Sequence, residues 1–213
     1  WPDADNHPLI NPPRRSVEKQ DIDLRETLGG GTLHAARAGR LWKKLGLIGA
    51  DGRPTERGHI ASLFQHGEGL AVAAALEDAA YDAHALAWDL AELRAGERVA
   101  SAGRNSSRLG ACCRLAYKSL TAEGYLREGL PVGFGEGCAE ALKGFALHGK
   151  IPPVDAEGHG PGQGDLERAV LEWRSTLQLI AHGPSHPSER WQQLRAASQD
   201  VLGRIAGTAV ARR

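Results

Sequence analysis

Two acid-free stretches hold the side chains best suited to chemistry. Between Thr27 and Ala50 the Lys, Arg, Asp and Glu content is Arg37, Arg40, Lys43 and Lys44 alone. Between Val99 and Ala122 it is Arg104, Arg108, Arg114 and Lys118. At about 100° per residue, each set of four falls in a sector of about 120° on a helical wheel. Ala38, Leu41, Trp42 and Leu45 lie opposite the first set, and Leu109, Cys112, Cys113, Ala116 and Leu120 opposite the second. A helix built this way docks its apolar side on a core and turns cations outward, where they can meet phosphates. A single face of this kind is equally an ordinary solvated surface, and the carboxylates of residues 68–97 offer a structural use for the same cations. Two such helices together predict a path for a polyanion, with the eight cations as candidate nucleic-acid contacts.

The other reactive residue types form no constellation. His59, His66 and His84 provide no pair four apart on one helix face and no clustered cysteines, so no metal site is expected. Cys112 and Cys113 lie on the apolar side of their helix and read as small core residues, reduced and poorly accessible. Three cysteines without framework spacing fit a reducing, cytoplasmic setting. Residues 144–151, GFALHGKI, come close to a phosphate-binding loop. Ile151 stands where a hydroxyl would hold magnesium, and Pro152-Pro153 blocks the helix that such a loop must start. No catalytic residue and no cofactor of this chain is therefore expected.

Composition sets the frame for these stretches. Lys and Arg number 26, Asp and Glu also 26, so no net charge advertises nucleic acid. Few aromatics and abundant Ala, Leu and Gly suit a mainly α fold. The longest apolar run, 70–76, is far too short to span a bilayer. The chain starts at Trp1 and has no methionine, and a fragment of a longer polypeptide is expected.

Element signals then place the basic faces. Residues 1–16 hold four prolines and read as an extended arm or linker. A winged-helix domain is predicted over 17–64. It has a helix over 17–28, a break at Gly29-Gly30-Gly31, and a helix from Leu33 to about Leu45 capped by Thr32. Leu47-Ile48 and the Asp51-Gly52 turn form a tight wing. Thr55 caps a long helix that continues past Ile60. A helical bundle is predicted over 65–148. It includes a helix 83–93 capped by Asp82, the basic helix capped by Asn105 or Ser106, a glycine-shaped loop 129–137 and a helix 138–147. Trp88, off the apolar stripe of its helix, is expected to pack at an edge rather than stack on a base. A Gly/Pro linker, 149–164, leads to an αα-hairpin over 165–213. Its stripes are Leu166, Ala169, Val170, Trp173, Leu177 and Ile180, then Trp191, Leu194, Ser198, Val201, Leu202 and Ile205. The hairpin either packs back on the bundle or binds a partner.

LGLI followed by DGRPTERGHIASLF, and then HGEGLAVAAALED, resembles the region after the motor domains of superfamily 2 DExH-type helicases. RNSSRLGACCRLAYKSLTAEGYLREGLPVGFGEG is similar to the C-terminal part of bacterial DEAD/DEAH-box helicases. The resemblance covers about residues 14–147. It implies a winged helix, with a T-x-x-G helix start at Thr55-Glu56-Arg57-Gly58, and a ratchet-like bundle along the translocating strand. This chain lacks a Walker A motif, a DExH box and an arginine finger. The resemblance thus implies that ATP and magnesium belong to motor domains N-terminal to it, and that the partner is single-stranded DNA or RNA. A stand-alone winged-helix regulator and a protein-binding helical scaffold are the competing expectations.

Overall fold

A computed structural model describes residues 38–96, 99, 106–153 and 160–210. The arm 1–16, the helix 17–28, the Thr32 cap, Arg37 and Arg104 lie outside the described residues. The protein is mainly α, and a single two-stranded sheet occurs among the described residues. The chain divides into two compact units, Trp1–Arg53 and Pro54–Arg213. The expected boundary at 64–65 therefore lies inside the second unit.

In the first unit, α1 occupies residues 38–44. Its end is a Schellman motif. The Leu47 N–H donates to the Trp42 carbonyl at 2.8 Å and the Gly46 N–H to the Lys43 carbonyl at 3.0 Å, with Gly46 at φ 73°. A tight turn follows. The Gly52 N–H reaches the Gly49 carbonyl at 3.1 Å, and the Gly49 N–H reaches the Arg53 carbonyl at 2.8 Å. Gly52 has φ 79°, a conformation that costs a residue with a Cβ.

The second unit is organised around α3, Glu68–Glu77. Every residue from Glu68 to Leu76 is buried. The sequence read one long helix from Thr55 onward. Instead α2, Glu56–Ala61, ends and α3 begins after a six-residue bend, 62–67. Two glycines let the pieces fold together closely. A Cβ on Gly69 would sit 2.6 Å from the Ala61 carbonyl oxygen, and one on Gly67 only 2.1 Å from that of Tyr125. The Thr55 hydroxyl oxygen caps α2 by accepting the Gly58 N–H at 3.1 Å.

Next come α4, Ala83–Asp89, and a 3-10 helix, Leu90–Arg94. Asp82 caps α4 by accepting the Ala85 N–H at 2.8 Å. Leu86, Leu90 and Leu93 are all buried, as their stripe predicts. Helix α5 is Arg108–Tyr117, and its cap is Ser107 rather than Asn105 or Ser106, the Ser107 Oγ accepting the Gly110 N–H at 3.0 Å. The strands β1, Leu126–Arg127, and β2, Leu130–Pro131, pair antiparallel with Arg127 opposite Leu130. Their two-residue turn, Glu128-Gly129, has φ 53° and 82°, both positive as a type I′ hairpin requires.

Helix α6, Ala139–His148, contains Gly144 and ends on left-handed Gly149, so the near match to a phosphate-binding loop is a helix terminus. Helices α7, Gln163–His182, and α8, Glu189–Val210, pack on each other. They also pack back on the bundle: α7 on the 3-10 helix and α6, α8 on α4 and α6. The Trp173 indole N–H donates to the Ala87 carbonyl at 3.0 Å, and Arg190 donates to the Tyr81 carbonyl at 2.5 Å. Trp88 packs on Trp173 with ring centroids 5.3 Å apart, at an edge as expected.

Candidate nucleic-acid interface

The two basic helices differ in what their cations do. On α5, Arg108 donates through Nε at 3.0 Å and Nη2 at 2.8 Å to Asp78 Oδ2, just past the end of α3. Its guanidinium also lies 4.7 Å from the Tyr81 ring centroid. That hydrogen bond holds the Asp78 carboxyl below the usual carboxylate range. Arg114 grips Glu136 with both arms, Nη1 to Oε1 at 2.7 Å and Nη2 to Oε2 at 2.5 Å. Such a fork is the strongest arrangement an arginine and a carboxylate adopt. It pulls the Glu136 carboxyl down, and Glu136 also accepts the Ser107 N–H at 3.2 Å. The two arginines are thus anchored on different elements, α3 and the loop before α6. Lys118 follows α5 at φ 53°, exposed and without an ion pair among the described residues.

On α1, Arg40, Lys43 and Lys44 are exposed. No ion pair to any of them occurs among the described residues. Trp42 beside them is 49% exposed, an aromatic face in reach of solvent, while Leu45 is buried.

The Asp78 partner falls in the acidic stretch whose pairing capacity is visible in the sequence. Glu136 lies outside it, and only the fold brings it to Arg114. Arg57 has no prominence in the sequence, yet it bonds Glu77 and lies 5.4 Å from the Tyr117 ring centroid. The three cysteines are free. Cys113 and Cys138 are buried, and burial pushes the Cys113 thiol up to about 12 and the Cys138 thiol up as well. Cys112 is half-buried, more open than predicted, with its thiol raised by burial and by the neighbouring Asp78 carboxylate. His84 faces Asp200 at 3.7 Å and His59 faces His186, with ring centroids 6.0 Å apart. Among the described residues no three His, Cys, Asp or Glu side chains gather as a metal site, and no helix is long and apolar enough to cross a membrane.

No protein-family model, no curated protein and no solved structure matches this chain.

Proposed function

We propose that the chain is the non-catalytic C-terminal region of an ATP-dependent nucleic-acid helicase, where it guides a single strand of DNA or RNA. ATP and magnesium would be held by motor domains N-terminal to it. The observation that carries this reading is the α1 face. Arg40, Lys43 and Lys44 are exposed there, without ion pairs among the described residues, beside a half-exposed Trp42. Phosphate contacts by such cations give affinity without sequence readout, and an accessible indole can stack on any base. The element order helix, tight turn at Gly52, capped helix from Thr55 supports the winged-helix assignment for 17–64. Residues 65–148 take the ratchet-like role and α7 with α8 form the αα-hairpin of the same region.

The α5 ion pairs favour a second reading in part. Arg108 and Arg114 spent on Asp78 and Glu136 make that face structural, which suits a protein-binding helical scaffold. A stand-alone winged-helix regulator would use α1 on duplex DNA. Fluorescence titration of the full chain with single-stranded and duplex oligonucleotides across a salt series tests all three. Tighter, salt-dependent single-strand binding is expected. Duplex preference supports the regulator, and no salt-dependent binding to either form removes both nucleic-acid readings.

A further inference from the structure

The side chain of Glu92 is used by neither basic face, and its surroundings are unusual. It sits in the 3-10 helix, and the residue is 1% exposed. Its Oε1 accepts the Gly137 N–H at 2.9 Å, and its backbone carbonyl accepts the Gly135 N–H at 2.8 Å. Oε2 is buried and accepts no hydrogen bond. Glu92 therefore ties the loop 133–137 to the 3-10 helix at two points. The loop is close-fitting: a Cβ on Gly135 would lie 2.7 Å from the Ala95 Cβ.

The groups around this carboxyl do not compensate a charge on it. From α4 it faces Asp89, whose own carboxyl accepts the Tyr81 hydroxyl and is raised by burial. From the loop it faces Glu136, already held by Arg114. Cys113 on α5 and Cys138, the residue before α6, contribute buried thiols that feel the Glu92 charge. Arg94, on the same 3-10 helix, bonds Glu68 of α3 in a cavity that α7 lines with Glu172. The Ser107 side chain and the Gly137 N–H favour the ionised form, but burial outweighs them and the Glu92 carboxyl is pushed up to about 7.

We propose that Glu92 is a proton-dependent latch on the glycine-rich loop 133–137: protonated, it holds the loop closed; ionised, it drives the loop open so that water can reach the carboxylate. This rests on the buried orphan oxygen and the two loop tethers, and is independent of whether the chain binds nucleic acid. The sign follows from linkage. An open loop returns Glu92 to an ordinary carboxylate, near 4.5. Opening then grows by less than tenfold per pH unit, about fortyfold in all from pH 5 to 7, and levels off above.

The test is backbone amide exchange at Gly135 and Gly137 in the full chain and in Glu92→Gln, with rates corrected for intrinsic base catalysis. Protection in the wild type should fall about fortyfold between pH 5 and 7, while α7 amides hold steady and Glu92→Gln stays flat. Flat wild-type protection, an equal fall in Glu92→Gln, or a parallel fall throughout α7 overturns the latch. If Glu92→Gln does not fold, the carboxyl-carbon titration of Glu92 in the wild type decides. A midpoint near 7 together with wild-type protection at Gly135 and Gly137 falling over the same pH range upholds the proposal; a midpoint near 4.5, or one near 7 with flat protection, overturns it.

Discussion

Helices α1 and α5 share one plan in sequence, four cations on one side and apolar residues on the other, yet their cations meet different ends. Arg108 and Arg114 on α5 are neutralised by Asp78 and Glu136. Arg40, Lys43 and Lys44 on α1 stand exposed without such partners among the described residues. Their termini differ in the same sense. The backbone of Lys118, at the end of α5, lies against the β1–β2 turn, where a Cβ on Gly129 would come within 1.9 Å of the Lys118 carbonyl oxygen, while the Lys118 side chain is exposed. The turn after α1 is open, with nothing within 4 Å of a Cβ built on Gly52. Arg108 and Arg114 are exposed like the α1 cations, so the difference lies in pairing: cations paired to carboxylates of the fold stabilise it, and cations without such partners are available to a ligand. Amphipathic patterning does not separate the two cases.

The largest effect expected from this contrast is at the Gly129 turn. Gly129→Ala meets both the φ 82° strain and the Lys118 carbonyl, so the end of α5 must shift. Strain and overpacking together should cost about 3 kcal/mol in chemical unfolding. Gly52→Val, with φ 79° but open space, should cost about 1 kcal/mol from strain alone. Equal losses at the two turns would erase the structural distinction between the helix ends.

How much of this was legible follows from how many sides each element buries. Helices α7 and α8 bury one side each, so Leu166, Trp173, Leu177 and Ile180, then Trp191, Leu194, Val201 and Ile205, could be read directly and are buried. Helix α3 is covered all round, and the apolar positions 60, 63, 64, 70, 72, 73 and 76 keep near-helical spacing across the 62–67 bend, so the pattern reads as one helix and hides the break between α2 and α3. The 126–131 hairpin was missed. Its strands are two residues each, one ends in Pro131, and Glu128 is not a usual left-handed turn residue. Of the candidate site, the exposure of the α1 cations was legible. The Arg114–Glu136 fork joins residues 22 apart through tertiary packing and left no local signal. Glu92 stands among the carboxylates of 68–97 with nothing in the sequence to mark it as buried, because sequence alone does not reveal that the loop 133–137 closes over it.

A middle-sized effect tests the α5 pairs. Arg114→Ala should cost about 1 kcal/mol at neutral pH, the value for a well-formed but partly exposed ion pair. The pH dependence has a fixed sign. The fork holds the Glu136 carboxyl below its ordinary value near 4.5, so its contribution is complete above that pH and is lost as pH falls through the depressed folded value. Thermal melts of wild type and Arg114→Ala should therefore differ most above about pH 5 and converge in acid. A gap that is constant with pH would mean that the fork is not what Arg114 supplies.

The smallest stability effect belongs to α1, and there the functional contrast is decided. Arg40→Ala, Lys43→Ala and Lys44→Ala combined remove exposed side chains from a helix, each within about 0.5 kcal/mol of neutral. Melting should barely move. Single-strand binding should weaken for all sequences alike, and the salt slope should fall by about 2 units, roughly 0.7 for each phosphate no longer neutralised. Arg108→Ala with Arg114→Ala should do the reverse, lowering the melting temperature while leaving the slope near the wild-type value. Both sets of substitutions are read in one salt titration of a single-stranded oligonucleotide paired with melts. An unchanged slope in the α1 triple variant removes the observation on which the strand-guiding function rests. A slope lowered in the α5 double variant instead would mean that phosphates displace Asp78 and Glu136 from their arginines, and the paired face would be the one that meets the strand.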